Sequence, residues 1–391
     1  MTLNRVEVIK IITIIGARPQ IIKAAAISRA IKNKFSRRIT EVLVHTGQHY
    51  DQNMSELFFS ELDIPRPTYN LKVGSGRHGV QTAEMIKGVE HILEVEKADY
   101  IILYGDTNST LAGSIAASKM NVPIVHIEAG LRSFNKSMPE EVNRIICDHV
   151  STLLFSPTKT GYSSLLNEGF TVNVMPFTSN NPGIFHCGDV MYDNSMHFWR
   201  LAEMKSTILD KYKLNQIQYV LATVHRNINT DNFENIGNIF RALLEIANSQ
   251  KVVVPLHPRT RKMLELDVNQ TLFSAIQAAD NLLLLPPVSF LEMISLEKNS
   301  SVIITDSGGV QKEAYFFNKP CVILRDETEW VEILETKTAV LAGSNMSKII
   351  NSFHALSDCQ GLVFPKIFGD GKAAEFICST LVENISKSAL E

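Results

Sequence analysis

The sequence predicts an α/β protein of two doubly wound domains, on three observations. Short β-branched runs bounded by Gly, Asp or His alternate with helical patterns, the rhythm of βαβ units. The runs fall into two similar series, one in each half of the chain. The 391 residues also exceed one ordinary domain, which holds roughly 150. Composition agrees: 45% hydrophobic and 20% charged residues, with 20 Gly and 14 Pro, exclude collagen-like, coiled-coil and disordered classes.

The elements follow in order. The β-branched run 8–15 reads as a buried strand; Lys10 interrupts it, and it is too short for a signal-peptide core. A helix is predicted over 20–32 and a strand over 41–45. Residues 69–73 are too polar for a central strand, with Asn70 and Lys72, and lead into a G-x-G-x-x-G match at Gly74, Gly76 and Gly79. That match reads as a loop, because the first strand of the sheet lies elsewhere. Strand 100–104, helix 110–119, strand 123–127, helix 139–149 and strands 152–155 and 184–186 complete the first series. Residues 175–183, rich in Pro, Asn and Gly, read as an irregular loop, and the crossover follows near 189–201. The second series places strands at 219–224, 251–256, 282–285, 302–305, 321–324 and 339–341. The chain closes on a predicted helix within 370–391. The resulting domains are 1–188 and 189–369, followed by the terminal segment 370–391.

Charge and cysteine usage limit the function. With 38 basic and 41 acidic residues the net charge is −3, which supplies no field for a nucleic-acid backbone or an anionic membrane surface. No apolar run approaches the roughly 18 residues of a spanning helix. Five scattered cysteines without a C-x-x-C pair argue against a disulfide framework or zinc site and fit a reducing cytoplasm.

Parallel sheets gather ligands beyond the carboxyl ends of their strands, so the residues after each run carry the functional signal. In the first half these are Gly16-Ala17-Arg18-Pro19-Gln20, His45-Thr46-Gly47-Gln48-His49, Gly105-Asp106-Thr107 and His126-Ile127-Glu128-Ala129-Gly130-Leu131-Arg132. In the second they are His225-Arg226, His257-Pro258-Arg259, Asp306-Ser307-Gly308-Gly309 and Arg325-Asp326-Glu327. Matching polar edges predict one cleft between the domains, and two features suggest that it holds an anion. The Ser307-Gly308-Gly309 run opens a helix and can present bare backbone N–H groups to phosphate, the alternative being a tight turn. Arg18, Arg132, Arg226, Arg259 and Arg325 offer guanidinium contacts, the alternative being structural ion pairs. A diphosphate is the economical ligand.

No Walker sequence occurs. Among the acids, Asp106 is a candidate base or a helix N-cap. Glu128 follows a buried strand where no helix start or surface role is evident, which points to chemistry. Glu140 and Glu141 open a helix after Pro139, and Glu140 can pair with Arg144 one turn on. His225 is a candidate base or phosphate donor. His45, His49, His126 and His257 occupy similar edges but lack metal-ligand spacing, so no metal or cofactor is expected.

These residues carry a family resemblance from Ile11 to about Ile377. The motifs GARPQ (16–20, with Lys23), HTGQHYD (45–51), GDTNSTLAG (105–113), HIEAGLRS (126–133), MPEEVNR (138–144), TVHR (223–226), LHPRT (256–260), DSGGVQKEA (306–314) and RDETEW (325–330) stand in order. In them the chain resembles the non-hydrolysing UDP-N-acetylglucosamine 2-epimerases. The resemblance implies the glycosyltransferase-B architecture of two Rossmann-like domains, the second binding UDP, with a C-terminal helix returning to the first. It implies Asp106, Glu128, Glu140 and His225 as catalytic residues. Arg18, Lys23, Arg144, Ser307, Gly308, Gly309, Glu313 and Arg325 are implied as UDP and phosphate contacts, with Gln48 and Phe290 as further substrate contacts. Ile228 stands where the family commonly has a Glu, two residues after His-Arg, so no acid is expected there to orient Arg226.

The implied reaction eliminates UDP and adds it back with the C2 hydrogen on the other face, without a cofactor. GARPQ, HTGQHYD-x-N-M, RSFN-x-x-MPEE and TEWVE look most like the branch acting on UDP-2,3-diacetamido-2,3-dideoxy-glucuronate, a sugar of O-antigens. The alternative substrate is UDP-N-acetylglucosamine. A UDP-sugar glycosyltransferase or an inactive nucleotide-sugar sensor is a more distant reading, disfavoured by the three acids. The resemblance further implies a cytoplasmic homodimer.

Overall fold

The computed structural model describes residues 8–48, 64–266 and 270–388. The chain divides into two units, Met1–Asn194 with Lys366–Glu391, and Ser195–Pro365. The first division falls inside the helix Val190–Lys205.

The first unit holds a seven-stranded parallel sheet: β1 (Ile9–Ile15), β2 (Ile39–His45), β3 (Tyr69–Asn70), β4 (Tyr100–Tyr104), β5 (Ile124–Ile127), β6 (Leu153–Ser156) and β7 (Gly183–His186). Their order is β3-β2-β1-β4-β5-β6-β7. Central strands of such a sheet are covered on both faces, so they need continuous apolar runs rather than alternation. Strand β1 is IKIITII and β4 is YIILY, buried along nearly their whole length. Each fully buried Ile or Leu contributes roughly 1.5–3 kcal/mol relative to an exposed one. The two-residue β3 pairs with β2 at Val44↔Tyr69 and His45↔Asn70. It went unpredicted because a short, half-exposed edge strand needs no apolar run.

The second unit holds six parallel strands: β8 (Tyr219–Thr223), β9 (Lys251–Pro255), β10 (Leu282–Leu285), β11 (Val302–Thr305), β12 (Cys321–Ile323) and β13 (Ala339–Leu341), ordered β10-β9-β8-β11-β12-β13. The helix Phe233–Ala247 lays Ile236, Ile239, Phe240, Leu243 and Ile246 on that sheet at helical spacing.

Both sheets are doubly wound and Rossmann-like. In each the chain reverses direction once, between β1 and β4 in the first and between β8 and β11 in the second. Such a reversal leaves a crevice at the strands' carboxyl ends. The terminal helix Ala373–Ser388 belongs to the first unit and packs on the helix Arg18–Ala30. Asp193 accepts from the N–H groups of Ala373 (3.2 Å) and Ala374 (2.8 Å), satisfying two donors at its start. Among the described residues, no helix is long and apolar enough to cross a membrane.

Candidate active site

In the first unit, Gln20 ties the two strands of the reversal together. Its side-chain oxygen accepts from the N–H groups of Gly16 (2.9 Å) and Ala17 (3.2 Å), and its amide donates to the Tyr104 carbonyl (2.9 Å) and Thr110 (3.1 Å). That explains the Gln of the GARPQ motif structurally and leaves Arg18 exposed at the start of its helix. Gln48 is likewise engaged, accepting from the backbone N–H (3.1 Å) and hydroxyl (2.7 Å) of Ser109.

Asp106 does not cap the helix that follows it. Thr107 does, accepting from Ser109 (3.2 Å) and Thr110 (3.4 Å). The Asp106 carboxylate instead meets the Arg144 guanidinium. The expected Glu140–Arg144 pair is replaced by Glu141–Arg144 at 2.9 Å. Successive helical residues point about 100° apart, so only one of the two acids can face inward. Glu141 does, at 1% exposure, and accepts from the N–H groups of Ser133 (2.9 Å) and Phe134 (3.0 Å). Glu140 is exposed, with no hydrogen bond or ion pair among the described residues.

Glu128 adopts φ +75°, a left-handed conformation uncommon outside glycine and a recurrent sign of function. Its carboxylate meets the Lys23 ammonium, both side chains being largely buried. Gly105 (φ +59°) makes the approach possible: a Cβ there would come within 3.1 Å of Glu128 Oε2 and 3.4 Å of Lys23 Nζ. Burial pushes the Asp106 carboxyl up; Arg144 and Lys23 pull it down and Glu128 raises it, leaving it above the ordinary Asp range. Asp106, Glu128, Lys23 and Arg144 thus form one charged cluster at the reversal of the first sheet. Two carboxyls, one with a raised pKa, beside two fixed cations suit proton transfer to and from carbon.

In the second unit, the loops after β8 and β11 meet at Asp306. This wholly buried carboxylate accepts from the N–H groups of His225 (3.1 Å) and Arg226 (3.0 Å) and the Asn229 amide (3.1 Å), and lies 3.2 Å from His225 Nδ1. Burial alone would raise its pKa, but His225, Arg226 and Asn229 outweigh that and hold it low. His225 is thereby aimed from a strand end with its side chain 42% exposed. Ser307 caps the helix Gly308–Phe316 through Val310. A Cβ on Gly308 would strike the carboxylate of Glu329, which pairs with Arg325 at 2.8 Å, and would come within 3.7 Å of the Arg226 guanidinium. An internal anion therefore lies at this helix N-terminus, where a phosphate oxygen would suit. Glu313 is buried on the same helix beside Glu297, and Phe290 packs edge-on to Phe198 at 5.1 Å. Ile228 is exposed two residues after Arg226.

Other expectations are redirected. Arg132 is not an anion ligand: its side chain is 1% exposed and bound to Asp148 (2.7 Å) and Glu168 (2.6 Å). Arg259 pairs with Asp231 on the surface. His45 accepts from Gly47 N–H at 2.9 Å, with its pKa lowered by burial, and His257 caps the helix Pro258–Leu264. His49 and the rest of its motif beyond Gln48 lie outside the described residues. At the G-x-G-x-x-G match, Gly74 and Gly76 lie in a loop with open space around them, and Gly79, also in open space, falls in the first turn of the helix His78–Glu96. Sequence reasoning passed over Asp306 and Glu141 as site residues. The signal for Asp306 was an acid closing a wholly buried strand; for Glu141 none distinguished it from its neighbour.

A family profile described as UDP-N-acetylglucosamine 2-epimerase matches residues 31–382. A UDP-N-acetylglucosamine 2-epimerase homolog of Methanococcus maripaludis is 49% identical over 95% of this chain and 99% of its own. The UDP-2,3-diacetamido-2,3-dideoxy-D-glucuronate 2-epimerase of Pseudomonas aeruginosa is 44% identical over 96% and 99%. The crystal structure of Methanocaldococcus jannaschii UDP-GlcNAc 2-epimerase in complex with UDP-GlcNAc and UDP is similar at 38% identity and a TM-score of 0.79, covering 96% of this chain and all of that one.

Proposed function

Since this chain belongs to the UDP-N-acetylglucosamine 2-epimerase family and is an isomerase, we propose that it inverts C2 of UDP-2,3-diacetamido-2,3-dideoxy-glucuronate. The observation that carries the chemistry is the Asp106–Glu128 cluster with its two cations. The C2 hydrogen of such a sugar is not beside a carbonyl, so direct deprotonation faces a high barrier. Elimination lowers it: a carboxylate takes the C2 proton, the C1–O bond breaks, and its electron pair leaves with UDP to give a C1–C2 double bond. A UDP oxygen then adds back at C1, while an acid delivers a proton to the opposite face of C2. Asp106, Glu128 and Glu140 are the proton-transfer candidates. His225 stabilises the departing diphosphate, together with the helix N-terminus at Ser307-Gly308-Gly309 and Arg325. Glu313 binds the ribose hydroxyls, Arg18, Lys23 and Arg144 bind phosphate, and Gln48 and Phe290 contact substrate.

The choice of sugar is supported by the 44% identical relative of that name, and by the GARPQ, MPEE and TEWVE sequences. Relatives named for UDP-N-acetylglucosamine are 38% and 39% identical, and one named as a homolog of that epimerase is 49% identical, which keeps that sugar as the second reading. Side-by-side kcat/KM on the two sugars decides: a higher value for the diacetamido-glucuronate supports the proposal, and a higher value for UDP-N-acetylglucosamine overturns it. In either case Asp106→Asn loses about 10²–10⁴ in kcat while still binding UDP; full activity would remove Asp106 from the mechanism. The resemblance also carries the expectation of a cytoplasmic location and of a homodimer, the second of which sedimentation of the purified chain tests.

A further inference from the structure

We propose that His126 is a positioning residue: a doubly protonated imidazolium that joins the two loops carrying Asp106 and Glu128, and so sets how those acids face the two sides of C2. The proposal rests on the reading of Asp106 and Glu128 given above.

His126 lies in β5 with no solvent exposure. Its Nδ1 is 2.6 Å from the Asp148 carboxylate and its Nε2 is 2.8 Å from the Gly105 carbonyl oxygen. Both partners are acceptors, and a neutral imidazole carries one N–H, so only the imidazolium satisfies both. Burial by itself opposes the charge, but Cys147 and Asp148 outweigh it and hold the imidazole well above the ordinary histidine range. Asp148 is shared: its other oxygen accepts from Gly130 N–H at 3.1 Å and meets Arg132 at 2.7 Å. Arg132 in turn is held by Glu168.

The connectivity gives this network its consequence. Gly105 immediately precedes Asp106, and Gly130 follows Glu128 by two residues. A chain of bonds therefore runs from the Gly105 carbonyl through His126 and Asp148 to the Gly130 amide, linking the backbone beside both acids. Gly105 and Gly130 take φ +59° and +78°, which glycine adopts freely, whereas Glu128 between them takes +75°, which a non-glycine residue keeps only where its surroundings hold it, so this turn needs outside bonds to hold its shape. A proton taken from one face and returned to the other demands a fixed separation of the two carboxyls, and this buried pair fixes it.

Side-chain nitrogen NMR of the full chain at about pH 8, above the ordinary histidine range, tests the charge without any variant. Assigned through bonds, His126 shows two N–H signals; a single N–H overturns the proposal. His126→Gln, with Asp148→Asn as the second variant in case the first does not fold, tests the consequence in heavy water. Exchange at C2 without inversion rises relative to inversion by about tenfold, well inside what a misplacement of about 1 Å produces. UDP affinity stays within about twofold of the parent chain. Exchange and inversion falling in the same proportion, as a smaller folded fraction gives, overturns it. Absence of C2 exchange in the parent chain sinks the Asp106 and Glu128 reading instead, and leaves the nitrogen spectrum to confirm or refute the imidazolium.

Discussion

Glu329 occupies the space at Gly308 into which a phosphate oxygen would come, with Arg325 bound to it. On the proposed reading UDP must displace this carboxylate, so the residue acts as an internal competitor. Glu329→Gln therefore tightens UDP binding by roughly threefold to tenfold, the size of a charge effect at a helix N-terminus. Titration calorimetry checks this, and weaker binding would show that Glu329 supports the phosphate site. Asp306 makes the opposite case. Asp306→Asn leaves the N–H groups of His225 and Arg226 facing a weaker acceptor and costs about 1–3 kcal/mol of stability, measured by urea denaturation; an unchanged midpoint would contradict the role given to it. Single residues were also where the sequence was least legible. Arg132 stands just past a strand like the other arginines, yet Asp148 and Glu168 claim it through tertiary contacts that no spacing reveals. Glu140 and Glu141 are neighbours in sequence, and only the rotation of the helix separates the exposed acid from the buried one.

Elements were more legible, because a strand covered on both faces must be written in apolar residues. The predicted run 8–15 corresponds to Ile9–Ile15, and 282–285 and 302–305 coincide with their strands. Strand β3 escaped, being held by two edge pairings rather than by burial. The terminal helix was foreseen in place, but its anchor was not. Asp193 is distant in sequence and supplies the cap of Ala373–Ser388. Burial pushes its carboxyl up to about 6, against the Ala374 and Ala373 N–H groups, with Asp189 raising it further and Arg29 lowering it. The folded chain thus holds this proton more tightly than the unfolded one. The contribution to stability is complete below about pH 4 and is lost as pH rises through about 6, amounting to at most about 3 kcal/mol. Asp193→Asn removes that slope, so the difference in unfolding free energy between parent and variant changes across this window; a constant difference would refute the linkage.

At the scale of the whole molecule, each sheet places its candidate residues at the single reversal of strand order: Asp106 and Lys23 beside β4 and β1, and His225 and Ser307 beside β8 and β11. The motifs announced these positions because parallel sheets leave only the strand ends free for chemistry. The choice of sugar rests only on a resemblance to one branch of the family, since pocket walls are assembled from residues without a motif. UDP at about a hundredfold its Kd is expected to stabilise the chain by about 2.7 kcal/mol. Amide protection should increase around Ser307, Gly308 and Glu313, and protection confined to other segments would move the nucleotide site. The most direct measurement is NMR of C2 during turnover of the UDP-sugar in deuterated water. The mechanism predicts deuterium at C2 of the inverted product from its first appearance. Inversion that leaves the original hydrogen on C2 would contradict it.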